Sequence, residues 1–198
     1  MEIDLYLQIM EEIKKRADSI IDILNKKRTT SFHATNIEFM CLQIRKILEL
    51  ISLGSLVANH KEFEEQKVKY HKFWHAERIL NDIEQLNPNF FPRPIIEKYS
   101  DDPKVAKQIV DKTDGFLTRK EFSKVYEKCG KIMHADNPFG SKVDYRYYEK
   151  QINEWLTKIM HLLSSHIIKL KDDQNFYLIH MDEKRDDKVH GYTFSKIK

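Results

Sequence analysis

Asn87-Pro-Asn-Phe-Phe-Pro-Arg-Pro94, with Ile95-Ile-Glu-Lys-Tyr-Ser-Asp-Asp-Pro103 behind it, holds four of the chain's five prolines. How this stretch is read decides the fold. Proline lacks an N–H and clashes with the preceding helical turn, so helices rarely continue through such a run. The spacing predicts an insertion over residues 87–117, with one short helix at 104–110. Neither flank closes a core alone, so residues 1–198 are read as a single domain. With helical patterns on both sides, the expectation is a mainly all-α antiparallel bundle of about five long helices, carrying the Pro-rich insertion and a C-terminal β-hairpin.

Upstream, Ile3, Tyr6, Met10, Ile13, Ala17, Ile20 and Leu24 recur at three and four residues and predict one amphipathic helix. Lys26 to Ala34 is polar and reads as a loop. Thr35 followed by Glu38 matches a capping box, in which each side chain satisfies the other residue's backbone donor. The helix it opens carries Phe39, Leu42, Ile44, Ile47, Leu48, Ile51 and Leu56 around most of its circumference, the mark of a central helix. Gly54 and Ser55 would let a neighbouring backbone approach closely. A third helix is predicted over 63–86.

Downstream, Thr118 and Glu121 repeat the capping-box spacing directly after the turn signal Asp114-Gly115. Phe122, Val125, Tyr126, Cys129, Ile132 and Met133 continue it as an amphipathic helix that Asn137-Pro138 ends. A last long helix from Asp144 carries Tyr148, Ile152, Trp155, Ile159, Leu162, Leu163 and Ile167. Residues 175–181 and 189–197 are rich in aromatic and β-branched residues and predict two antiparallel strands, a hairpin over 175–197 that must pack on the helices to persist.

The charge balance is weak: 34 basic and 31 acidic residues give +3, which neither establishes nor excludes nucleic acid. Cys41 and Cys129 both fall among apolar helix positions and read as buried free thiols of a reducing compartment. The start of the chain lacks a signal peptide's apolar core, and no uncharged run could span a bilayer. A cytoplasmic protein without a membrane partner is expected. There is no Gly-rich phosphate loop, nucleophile elbow or dinucleotide fingerprint, and no cofactor is expected.

Three constellations could carry chemistry. On the second helix Glu38, Arg45, Ser52 and Asn59 are spaced by seven, with Glu49 four residues after Arg45, so all lie in one sector. They form either a solvated edge or, through Arg45 and Glu49, one wall of a cleft. The second constellation is Lys128-Cys-Gly-Lys-Ile-Met-His134, followed by Ala135-Asp136-Asn137-Pro138. His134 at a helix C-terminus, beside cations, has the chemistry of a general acid or base at a phosphodiester; considered alone, the simpler reading is a cap that bonds the last carbonyls. Lys128 and Lys131 could each meet a phosphate as point charges. The third is His71-Lys-Phe-Trp-His75, an i, i+4 pair able to share a metal, but without a third ligand. Arg78 and Asp82 continue that stripe, so a solvated face is the better account and no metal site is assigned. Tyr145, Tyr147 and Tyr148 around Arg146 could stack on bases, and more simply staple their helix to the core.

The second constellation resembles the HEPN superfamily, helical-bundle domains of many prokaryotic toxin and defence proteins. These carry an arginine, four to six residues, then a histidine near a helix end. His134 matches the histidine and Lys128 stands at the arginine spacing, while Gln43-Ile-Arg-Lys-Ile-Leu-Glu49 resembles the family's preceding helix. The resemblance spans residues 2–170 outside the insertion. It implies metal-independent RNA cleavage across a homodimer interface, in a defence or stress-response setting. His134 would assist proton transfer at the ribose 2′-hydroxyl, and Lys128, Lys131 and Asn137 would hold the phosphate with Arg45 and Glu49 nearby. Lysine in place of arginine implies a degenerate ribonuclease of weakened or lost activity. The rival reading is a non-catalytic helical module that binds a protein or nucleic-acid partner.

Overall fold

A computed structural model describes residues 2–60, 76–100, 107–170, 175–183 and 185–195. Helix α1 (Ile3–Leu24) buries Tyr6, Met10, Ile13, Ala17 and Ile20, the predicted stripe, against α2 (His33–Ala58). Buried residues of α2 cover most of its circumference, leaving Leu42, Lys46 and Leu53 on an exposed strip, and α1, α3 (Ala76–Leu86), α4 (Arg119–Lys131) and α5 (Tyr145–Leu163) pack on it. Gly54 marks a close approach of α1, though to side chains and not backbone: a Cβ there would lie 3.2 Å from Tyr6 and 3.3 Å from Met10. Helix α2 starts two residues before Thr35, so the Thr35–Glu38 box does not form. Thr35 instead donates its hydroxyl to the Phe32 carbonyl (2.8 Å), while Glu38 accepts from the Tyr145 hydroxyl (2.6 Å). The Thr118–Glu121 box does form and opens α4: the Thr118 Oγ1 accepts the Glu121 N–H (3.2 Å) and Glu121 Oε2 accepts the Thr118 N–H (3.1 Å).

The all-α expectation is corrected by a five-stranded antiparallel sheet, which makes the fold α+β. Two of its strands lie in the proline-rich segment read as an insertion. Strand β1 (Arg93–Tyr99) pairs with β2 (Lys107–Asp111), which replaces the helix predicted over 104–110 where that range is described. The prolines permit this because Pro94 stands near the start of β1. Its carbonyl accepts the Lys112 N–H (3.0 Å), and its missing donor falls at the frayed end of the ladder, where proline is tolerated. A third strand, β3 (Ser165–Lys169), takes the place of the expected last turn of α5. Ile167 lies four residues after Leu163 and so continues a helical spacing; a five-residue run cannot be assigned by period alone. The terminal hairpin forms as predicted, from β4 (Asn175–His180) and β5 (His190–Ser195), but as part of the larger sheet in the order β2-β1-β3-β4-β5.

Helices cover one face of this sheet. His166, Ile168 and Ile179 point into the main core, while the alternation along β3 and β4 sends Ile167 and Leu178 to the opposite face, in a small cluster with Ile95 and Phe176. A buried amide pair joins the layers. Asn87 Nδ2 donates to Asn59 Oδ1 (2.7 Å) and to the Lys169 carbonyl (3.0 Å), fastening the end of α2 to the end of β3. Among the described residues, no helix is long and apolar enough to cross a membrane.

Candidate functional site

Helix α4 carries lysines at 120, 124, 128 and 131. At about 100° per residue these fall within a sector of roughly 80°, and all four are exposed. Among the described residues none has a carboxylate at ion-pair distance, although the chain elsewhere pairs many of its cations. Lys128 and Lys131 also occupy the last turn, where cations are favoured by the carbonyl end of the helix.

Beside the stripe, α4 and α5 enclose a groove of about 270 Å³, below the size of ordinary cofactor pockets. Lys124, Lys128, Tyr147, Gln151, Trp155 and Lys158 are among its lining residues. The Lys128 ammonium lies 5.1 Å above the centre of the Tyr147 ring, a cation–π contact on the groove's rim. Tyr147 is held upright by edge-on contacts with Tyr148 and Trp155. The buried Tyr148 in turn donates its hydroxyl to the Lys128 carbonyl (3.0 Å), locking α5 to α4. Deeper in, Lys158 is neutralised by Glu121 and Glu154, each at 2.9 Å. The hydrogen bond to Glu121 raises the lysine above its ordinary value and lowers the carboxyl below its own. The groove thus presents unpaired positive charge at its rim, next to an aromatic face.

The structure does not gather the six candidate residues into one cleft. Arg45 and Glu49 lie in the α2–α4 interface. The Arg45 guanidinium stacks 3.9 Å from the Tyr126 ring centre, donates to its hydroxyl (2.7 Å) and carbonyl (3.3 Å), and pairs with Glu49 at 3.4 Å. Tyr126 then donates to Glu49 (3.3 Å). Gly130 supplies the notch, since a Cβ there would stand 2.6 Å from Arg45 Nη1. Tyr126 and Lys128 are two positions apart, about 200° round the helix, so the Arg45 pair and Lys128 face opposite ways. Ser52 and Asn59, from the same predicted stripe, are buried and bonded to α2 carbonyls.

His134 stands three residues past the end of α4, exposed, its backbone N–H turned back to the Lys131 carbonyl at 3.4 Å. Among the described residues its imidazole has no hydrogen-bond partner, and it bonds neither Lys128 nor Arg45. Asn137 closes a turn, its Oδ1 accepting the Phe139 N–H (3.0 Å). Lys131 is exposed between these two groups of residues. His71 and His75 lie outside the described residues. Within them, no three His, Cys, Asp or Glu side chains are grouped to hold a metal.

Lys120, Lys124 and the groove-lining part played by Trp155 were missed from the sequence; the i, i+4, i+8 spacing of the lysines was the available signal. Two other polar centres went unnoticed. His180 has both ring nitrogens against carboxylates, Glu97 (2.9 Å) and Glu183 (3.2 Å), which leaves neither free for proton transfer. His166 is buried and bonded to Tyr6. The Cys129 thiol is pushed far up by its contact with Cys41 and by burial, which removes it as a nucleophile.

Compared with known protein families, with curated proteins and with solved structures, the chain matches none.

Proposed function

We propose that this protein binds single-stranded RNA along the α4 lysine stripe, with a base stacking at Tyr147 in the α4–α5 groove. The observation that carries the reading is the unpaired Lys128 poised over an exposed tyrosine, with Lys124 one turn away and also unpaired. Single-strand binders combine such a basic track for phosphates with aromatic rings that accept any base. Glu121, Glu154 and Lys158 of the groove are tied to one another, and the charge left over sits on lysines, point charges that suit phosphate more than a base edge. The HEPN resemblance, which rests on Lys128 and His134, points to the same substrate class.

A second reading is cleavage. His134 is exposed three residues past the end of the helix that carries the stripe, its imidazole without a hydrogen-bond partner among the described residues, and an imidazole has the chemistry of a general acid or base at a phosphodiester.

A fluorescein-labelled single-stranded RNA of twelve nucleotides, titrated by anisotropy at several salt concentrations without metal, tests both. Lys124→Gln with Lys128→Gln should flatten the dependence of log K on log salt by about 1.4, two phosphate contacts on a single strand. Tyr147→Ala should weaken binding by about 1–3 kcal/mol with the salt slope unchanged. Cleavage that disappears in His134→Ala and rises in Lys128→Arg would make the protein a ribonuclease. If the wild type does not bind, or all variants bind alike, the groove is not an RNA site.

A further inference from the structure

The sheet has two edges, and among the described residues nothing covers the one formed by β2. All five residues of Lys107-Gln-Ile-Val-Asp111 are exposed, and among the described residues nothing pairs with the outer side of this strand. The hairpin also exposes apolar side chains on both faces: Ile109 (37%) and Tyr99 (90%) on one, Val110 (37%) and Ile96 (44%) on the other. Open edges of this kind are normally blunted or covered, because their free N–H and C=O groups template further strands.

The direction of those groups follows from the register. Lys112 donates its N–H to Pro94, so Pro94–Lys112 is a hydrogen-bonded pair, and the bonded pairs recur every second residue at Ile96–Val110 and Lys98–Gln108. Gln108 and Val110 therefore direct their backbone groups inward at β1. Lys107, Ile109 and Asp111 direct theirs outward, to the open edge.

We infer that β2 is a self-complementary seam that pairs antiparallel with β2 of a second copy, about a two-fold axis at Ile109. In that register Ile109 meets Ile109 of the second copy, and Lys107 meets Asp111 at each end. Each of these pairs is of the bonded type, so every outward backbone group finds a partner. Charge selects this register. A slip of two residues sets each charge against isoleucine, and a slip of four opposes lysine to lysine or aspartate to aspartate, which is destabilising. The side chains are already aligned for it, since Asp111 pairs with Arg93 (3.4 Å) and Lys107 with Glu97 within the chain. Pairing extends these into an alternating row, Arg93–Asp111–Lys107–Glu97, across the seam. Lysine on an edge strand ordinarily discourages pairing by repulsion. Here the aspartate four residues on turns it into a partner. The interface is isologous and closes as a dimer, making one sheet of the two copies. It lies apart from the α4–α5 groove and does not depend on that site's function.

Sedimentation equilibrium of the full chain, with two variants, tests the seam. The wild type should be a dimer, and Ile109→Lys, which sets like charges against each other at the axis, should raise its dissociation constant at least about tenfold with an unchanged circular dichroism spectrum. Ile109→Cys should form a disulfide-linked dimer under mild oxidation, because bonded antiparallel pairs bring Cα atoms to about 5.5 Å, within disulfide range. Lys98→Cys, on the inner strand β1, should not, and the two native cysteines are buried. A wild type that stays monomeric at its highest soluble concentration overturns the inference. So does a dimer unmoved by Ile109→Lys, or cross-linking equally fast at residues 98 and 109.

Discussion

At the scale of single residues, the most consequential side chain away from the groove is His166. It is fully buried between the helices and the sheet, and its two nitrogens have fixed roles. Nδ1 faces the Leu163 carbonyl at 2.8 Å, which can only accept, so Nδ1 carries the proton and Nε2 accepts the Tyr6 hydroxyl, also at 2.8 Å. Burial lowers its pKa to about 4 from an ordinary 6.5. Between those values the unfolded chain binds the extra proton and the folded chain does not. Stability should therefore fall as pH drops from about 6.5 towards 4, by roughly 3 kcal/mol over the whole window. Urea unfolding at pH 7 and pH 5 checks this, and His166→Gln should flatten the dependence there. Tyr6→Phe leaves Nε2 buried without a donor and should cost about 1–3 kcal/mol at neutral pH. A loss too small to measure would mean that the hydroxyl contributes nothing net. None of this could be read from the sequence, because the partners are 160 residues apart. The Arg45–Glu49 pair was legible from its i, i+4 spacing, while Tyr126, which fixes its direction, comes from another helix.

At the scale of elements, local chemistry shows plainly where it works and where it does not. Helix α4 is opened by a reciprocal Thr118–Glu121 cap, with Lys158 holding Glu121 from α5. Thr118→Ala should destabilise the protein by about 1 kcal/mol, measured by chemical denaturation, while Thr118→Ser should restore most of it. Equal stability of all three would mean that tertiary packing alone positions the helix start. The stripe of α1, the wide buried face of α2 and the terminal hairpin were legible because each repeats its period long enough to be unambiguous. Strands β1 and β3 were not. Ile95-Ile96 stands next to Pro94, and Ser165-His-Ile-Ile-Lys169 directly follows a helix whose spacing it continues. Both become strands through five-pair ladders, β1 with β2 and β3 with β4, and they join at Arg93–Ile167 and Pro94–His166, a pairing across more than seventy residues of chain that no local window contains.

At the scale of the whole molecule, this pairing makes stability uneven across one continuous sheet. Strands β3 and β4 contribute Ile168 and Ile179 to the helical core, and His166 ties β3 to α1. Among the described residues the β1–β2 hairpin is held near its start by the buried Pro94 and Ile95 and by Glu97 on His180 (2.9 Å): its ladder to β3 is two residue pairs long, and its outer half is exposed on both faces. Elements with few buried apolar contacts open locally, at a free energy below that of global unfolding. Amides of Ile168 and Ile179, inside the β3–β4 ladder, should therefore exchange with solvent only through global unfolding and share one free energy. Those of Gln108 and Val110, bonded to β1, should exchange through a smaller opening whose free energy shows little dependence on denaturant. Native-state hydrogen exchange in increasing urea separates the two classes. If the β2 seam forms, Lys107, Ile109 and Asp111, whose N–H groups face away from β1, should gain protection with protein concentration, and Ile109→Lys should abolish that gain. Equal exchange free energies in β2 and β4 would mean that the hairpin unfolds only with the core, and that the sheet is one cooperative body to its edge.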